Sequence, residues 1–204
     1  MIQIIDCEQG SPEWFQARLG LPTASEFKTV LAQGKASESK TRRTYVYKLA
    51  GEIITGEPME GFSNANMERG KAMEPEARAY YQMRTGNEIM RVGFIRNGNA
   101  GCSPDALVPN IFGKGALEIK TAFPHILGDI LLRNEFPPEH KAQCQGALWI
   151  AERDWIDLVI YWPRMPTFVK RAYRDENYIK HLAEQVEVFN DDLAHIVARL
   201  RGIQ

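Results

Sequence analysis

Apolar residues recur along this chain with two different periods. Up to about residue 86 the spacing is mainly helical. From about 87 to 175 it is mainly that of short strands, and from about 176 to 201 it is helical again. Ser11-Pro12 pairs a capping residue with the residue favoured in a first helical turn. A short helix is expected over about Glu13–Leu19, stopping near Gly20. A second start is expected at Thr23-Ala24-Ser25-Glu26, with Phe27, Val30 and Leu31 on one face. Residues 40–55 read as a helix ending at Gly56. A long helix over about Ala65–Arg84 ends at Gly86, and Pro75 inside it predicts a kink or break near Glu74.

Ile89–Ile95, Cys102–Val108, Ala116–Ala122, Trp155–Trp162 and Thr167–Tyr173 read as strands. The segment 109–115 has turn composition, so the strands on either side of it are expected to pair antiparallel. Helical stretches are expected over about 125–134 and 138–151. The last helix, about Asn177–Leu200, carries a seam of Ile179, Leu182, Val186, Phe189, Leu193, Ile196 and Leu200. Such a seam packs either on the chain's own sheet or partly on another subunit. The expected architecture is α/β: one domain over 1–204, with a central mixed sheet flanked by helices.

Composition narrows the function. The 204 residues include 25 Lys+Arg and 26 Asp+Glu, for a formal charge of −1. A chain that coats nucleic acid or anionic membrane by bulk charge is excluded, so any nucleic-acid site must concentrate cations locally. Cys7, Cys102 and Cys144 lack metal-ligand spacing and point to reduced thiols in the cytoplasm. No run approaches the roughly 18 apolar residues of a membrane span.

The informative chemistry lies in Ser103-Pro104-Asp105 and Leu117-Glu118-Ile119-Lys120. Alternate residues of a strand share a face, so Glu118 and Lys120 point one way and Leu117 and Ile119 the other. Asp105 is placed on the preceding strand, within reach if the two pair. Two carboxylates about 4 Å apart repel by roughly 1 kcal/mol in water and about 4 kcal/mol at a protein surface, so cations must compensate. Hard oxygen ligands without His or Cys select Mg²⁺, with Mn²⁺ as the alternative. Such an ion activates water near neutral pH, and Lys120 can orient that water or stabilise developing charge. The pattern suits phosphodiester hydrolysis; a strand salt bridge is the plainer alternative. Glu74 on the long helix is a third candidate acid. Gln143, one turn after His140, can bond a water or phosphate, or cap a backbone group.

Glu74 in Gly-x-x-x-Glu-x-x-Ala-Arg, Ser103-Pro104-Asp105, Leu117-Glu118-Ile119-Lys120 and Ala142-Gln143-x-Gln145 occur in this order. Together with Trp14 to Ser25 and Leu49 to Gly56, they closely resemble the lambda exonuclease, or YqaJ-like, family of phage recombination nucleases within the PD-(D/E)xK superfamily. The resemblance runs over about residues 10–165. It implies a restriction-endonuclease-like fold and an Mg²⁺-dependent exonuclease that enters duplex DNA at an end. Such an enzyme digests one strand 5′→3′ to mononucleotides and leaves a 3′ overhang. It implies metal on Asp105 and Glu118, with Glu74, Lys120 and Gln143 assisting, and a 5′-phosphate on Arg18 and Ser25. It also implies a ring-shaped homotrimer working with a single-strand annealing protein in a phage-infected or lysogenic bacterial cytoplasm. An endonuclease or junction resolvase of the same superfamily and a non-catalytic end-binding recombination protein are the alternatives. Some relatives carry a further acid before Ser103; this chain has Arg96-Asn97-Gly98-Asn99 there.

Overall fold

In the computed structural model, which describes residues 1–34, 39–59, 65–109 and 113–203, helices cover both faces of a short mixed sheet. The chain runs β1 (Ile2–Ile5), α1 (Pro12–Arg18), a 3-10 turn (Ala24–Glu26), α2 (Phe27–Val30), α3 (Lys40–Thr55) and α4 (Ala65–Thr85). Then come β2 (Phe94–Asn97), β3 (Ala100–Cys102), β4 (Ala106–Val108), β5 (Gly115–Thr121), α5 (Pro124–Arg133) and α6 (Lys141–Ile150). It closes with β6 (Trp155–Tyr161), β7 (Phe168–Tyr173) and α7 (Glu176–Arg201). β1, β2 and β3 make a small antiparallel sheet. β4, β5, β6 and β7 make the mixed one, in which only β5 and β6 are parallel. That parallel pair needs a crossover, supplied by α5 and α6.

Strand alternation divides the core in two. Ala116, Ile156, Leu158 and Ile160 face α2, α3, α6 and α7. Leu117, Ile119, Trp155 and Val159 face Ala77 and Tyr81 of α4. Glu118 and Lys120 follow the parity of Ala116, and both buried acids of the sheet are placed by this arithmetic.

Several expectations need correction. The N-terminal part is mainly helical as expected, but it also holds the unforeseen β1, which pairs with β2 from residue 94 onward, a partner too distant to read locally. Cys102–Val108 is not one strand. Pro104 has no N–H to give a ladder, and the chain passes there from the small sheet to the mixed one. Asp105 therefore sits in the break rather than on a strand. Pro75 causes no break: α4 runs through it, held to the sheet by fully buried Ala77 and Tyr81. In the 109–115 turn, residues 110–112 lie outside the described residues. The α7 seam packs within the chain, but its last buried residue is Val197 while Leu200 is 38% exposed. A straight helix repeats every 3.6 residues, so a strict seven-residue seam drifts off the contact. Among the described residues no helix is long and apolar enough to cross a membrane.

Candidate active site

β5 and α6 build the acidic corner. Glu118, 3% exposed, accepts at one oxygen from Lys120 Nζ at 2.7 Å and from Gln143 Nε2 at 2.5 Å. Gln143 thus bonds a carboxylate and caps no backbone group; that task falls to Gln145, which bridges Tyr173 O and Asp175 N. Asp105 is tied to the same strand twice. Its N–H donates to Leu117 O at 3.0 Å, and its Oδ2 accepts from Ile119 N at 2.5 Å. The turn carrying it is braced in turn: Gln9 Nε2 donates to Val92 O and Pro104 O, and Trp14 Nε1 donates to Ser103 Oγ at 2.9 Å. Glu74, on α4, is half-buried and ion-paired with Arg78 one turn on.

The corner is electrostatically crowded. Burial, then Glu118, then Glu74 push the Asp105 carboxyl well above its usual range, and Lys120 only partly offsets them. Burial by itself would lower Lys120. The Glu118 carboxylate, its hydrogen bond and Asp105 outweigh burial and hold the amine above its ordinary value. His140, beside Gln143 on the chain, is pushed down to about 4 by burial and by Lys120, so it is neutral at pH 7.

A second group forms around Arg18. Its guanidinium lies 3.9 Å from the Trp14 ring centroid and donates to Thr23 Oγ1 at 3.3 Å, and that hydroxyl bonds Ser25 Oγ at 3.2 Å. Gly20 ends α1 in a left-handed turn, at a spot where a Cβ would meet Ile53 at 2.4 Å. The loop is fastened from α3: Glu52 Oε2 accepts from Gly20 N at 2.9 Å, and Tyr45 OH accepts from Thr23 N at 3.2 Å. Ser25 lies at the expected helix start, but the helix is short. It lies in one 3-10 turn followed by the four-residue α2, and Thr23, not Ser25, occupies the capping position. Such short elements carry little dipole, so an anion there would depend on side chains. Trp14 has one ring face covered by Arg18 and reads as a support for that residue. The basic cluster Lys40, Arg42 and Arg43 is partly structural, since Arg42 pairs with Asp192 of α7 at 2.7 Å.

One cavity of about 1010 Å³ joins the two groups. Arg18, Ser25, Glu74, Asp105, Glu118, Lys120 and Gln143 all line it. Among the described residues its wall holds six cations (Arg18, Lys48, Lys71, Arg78, Arg91, Lys120) and six acids (Glu8, Glu26, Glu52, Glu74, Asp105, Glu118), so these are balanced rather than basic. Lys48, Arg91 and Tyr45 did not stand out in the sequence, and Thr23 and Glu52 lie in quoted motifs but without the bracing role they have here. Each sits in an ordinary helix or loop and gains meaning only by folding.

The donor set fits a hard divalent ion. One oxygen of Asp105 and one of Glu118 have no hydrogen-bond partner among the described residues, and the carboxylates repel each other for want of positive charge. Among the described residues no three His, Cys, Asp or Glu side chains gather at one point. Water or backbone oxygens would therefore complete the shell.

Residues 13–154, more than two thirds of the chain, match the family model of the YqaJ-like viral recombinase domain. No curated protein matches the chain. The alkaline exonuclease LHK-Exo from Laribacter hongkongensis superposes with a TM-score of 0.83 at 31% identity, covering 94% of this chain and 96% of the other. Its complex with dAMP gives the same score and coverage at 32% identity. A phage-related exonuclease from Haemophilus somnus 129PT shares the fold at 15% identity and a TM-score of 0.65, over 88% of this chain and 96% of that one.

Proposed function

We propose, from the premise that this chain belongs to the YqaJ-like viral recombinase family, that it is a divalent-metal-dependent exonuclease acting at duplex DNA ends. It digests the 5′-ended strand 5′→3′ to mononucleotides and leaves a 3′ single strand for annealing. The observation that carries this reading is the shared cavity. Within it, Asp105, Glu118, Lys120 and Gln143 form a contiguous bonded corner, and Arg18 with Ser25 lies on the same wall. Near-complete coverage by an exonuclease at 32% identity supports the reaction class, and that relative's dAMP complex supports a nucleotide as product.

Asp105 and Glu118 would hold Mg²⁺ or Mn²⁺. The ion would supply positive charge for the phosphoryl oxygens and lower the pKa of a bound water. The protein's own residues do the rest. Lys120, kept as an ammonium by Glu118 and Asp105, donates to the attacking water or to the oxygen on which charge develops. Gln143 and Lys120 fix the orientation of Glu118. Glu74 faces the site from α4 and holds Arg78 at its edge. Arg18 presents a planar fork to a terminal phosphate, steadied by Trp14 and Thr23. A ring-shaped homotrimer and a single-strand annealing partner, acting in the cytoplasm of a phage-carrying bacterium, complete the proposal.

Digestion of end-labelled linear duplex, with and without Mg²⁺ and with 5′-phosphate or 5′-hydroxyl ends, tests it. Expected are metal-dependent mononucleotide release and faster turnover of phosphorylated ends. Cutting of covalently closed circles would replace this reading with the endonuclease one.

A further inference from the structure

Beside the catalytic cavity, at the end of β5, lies an aromatic shelf that the proposed chemistry does not use. Phe123 follows Lys120 by three residues, so the chain can separate them by at most about 10 Å. The residue is 38% exposed, and its ring stands 5.4 Å from Trp162 and 6.2 Å from His125, the latter with planes only 15° apart. Arg69 of α4 lies over two of these rings, 4.6 Å from the Phe123 centroid and 5.2 Å from that of Trp162. The helix runs beside the end of β5: a Cβ at Gly70 would stand in ordinary contact with Thr121 Oγ1, at 3.4 Å. On the same helix Met67 and Lys71 line the catalytic cavity, so shelf and cavity adjoin.

Ordinary packing does not account for the cluster. A core aromatic cluster would bury Phe123 and His125, which are exposed. A patch built for an apolar protein partner would not carry a guanidinium whose Nε is buried without a partner. Among the described residues no carboxylate pairs with Arg69, which donates to Asn66 Oδ1 at 2.6 Å. Exposed rings backed by a cation match the face of a nucleobase and its phosphate. Bases inside a duplex already have both faces stacked, so the fitting occupant is an unpaired one. We infer that the Phe123–Trp162–Arg69 shelf binds an unpaired base of the DNA strand next to the cleavage site. This rests on the nuclease reading and extends it. Stacking does not depend on base identity, which suits an enzyme that digests any sequence.

The test uses a short single strand carrying one 2-aminopurine, whose emission falls on stacking, mixed with the intact protein in EDTA so that nothing is cut. Wild type is expected to quench the probe. Phe123→Ala is expected to lose most of the quench and bind the strand about tenfold more weakly, the scale of one lost base–aromatic stack. Phe123→Trp is expected to restore both. Circular dichroism of each variant guards against misfolding. Equal quenching by Phe123→Ala, or none by wild type, overturns the shelf. Mg²⁺-dependent nucleotide release by the same wild-type preparation is scored separately. If release is present without a Phe123-dependent quench, only the shelf fails; if release is absent, the nuclease reading fails.

Discussion

Two acid clusters sit on opposite faces of the same pair of strands, and their difference separates structure from function. On the α4 face, Asp157 is 3% exposed and fully matched. Arg171 binds it through two bonds, Nε to Oδ1 at 2.8 Å and NH2 to Oδ2 at 2.9 Å, and Tyr81 OH donates at 2.7 Å. On the other face, one position over in the β5–β6 register, lies Glu118; with Asp105 in the strand break and Glu74 at the cavity edge of α4 it shares too little positive charge, and burial, then Glu118, then Glu74 raise Asp105. A buried acid that serves only the fold has its partners already present. An acid corner left short of cations is one that a ligand must complete. Both clusters read as charges in apolar strands; the partners tell them apart.

The largest expected effect separates them directly. Lys120→Ala is expected to slow cleavage by about 10³-fold, the scale of losing a donor aimed at developing charge. Binding of linear duplex, read by gel shift, is expected to stay within about threefold. Near-normal turnover with lost binding would contradict the role given to Lys120. The complementary variant, Arg171→Ala, strands a buried carboxylate while leaving the site intact. It is expected to cost about 2–3 kcal/mol in denaturant unfolding, below the full cost of a buried pair because Arg171 is partly exposed. Cleavage per folded molecule is expected to stay within about twofold. A variant as stable as wild type would show that Asp157 does not need its partner.

How far sequence alone reached follows from how local each feature is. The corner on β5 is read from a period of two within four residues, and the α4 acid from a single helix motif. All seven candidate side chains line one cavity. The braces are a different matter. Glu52 and Tyr45 lie 32 and 22 residues from the backbone groups they hold, and nothing in their own helix tells which distant loop they fasten. The pairing of β1 with β2 and the match of Arg171 to Asp157 also depend on contacts between distant segments. The start signal at Thr23 to Glu26 does not state how long the element will run, and it opens only a 3-10 turn and the four-residue α2.

A smaller effect is expected at the phosphate group, which rests on loops rather than on the sheet. Arg18→Ala is expected to reduce the preference for 5′-phosphate over 5′-hydroxyl ends by about tenfold, as for one charge-assisted contact. Competition between the two substrates measures the ratio. An unchanged ratio would remove Arg18 from end recognition.

The smallest effect tests the charge shortage itself. Folding raises Asp105 above its ordinary 3.8, so the folded chain holds that proton more tightly than the unfolded one. Without metal, ionising Asp105 therefore costs stability as pH rises from about 4 through its raised value. Lys120 is a raised base, so its stabilisation is complete below its ordinary 10.5 and lost as pH rises through the higher folded value. In the weakly acidic range only Asp105 titrates of the two, and a divalent ion competes with its proton. Each tenfold increase in Mg²⁺ is expected to move the acid limb of the cleavage profile to lower pH, by up to about one unit when one ion displaces one proton. Asp157, paired with Arg171, does not line the cavity in which the ion would sit. pH–rate profiles at three Mg²⁺ concentrations measure it in the wild type and in Arg171→Ala. Equal displacement in both assigns the effect to the Asp105 corner, whereas a limb that stays fixed as Mg²⁺ rises would mean that the ion does not meet this carboxylate.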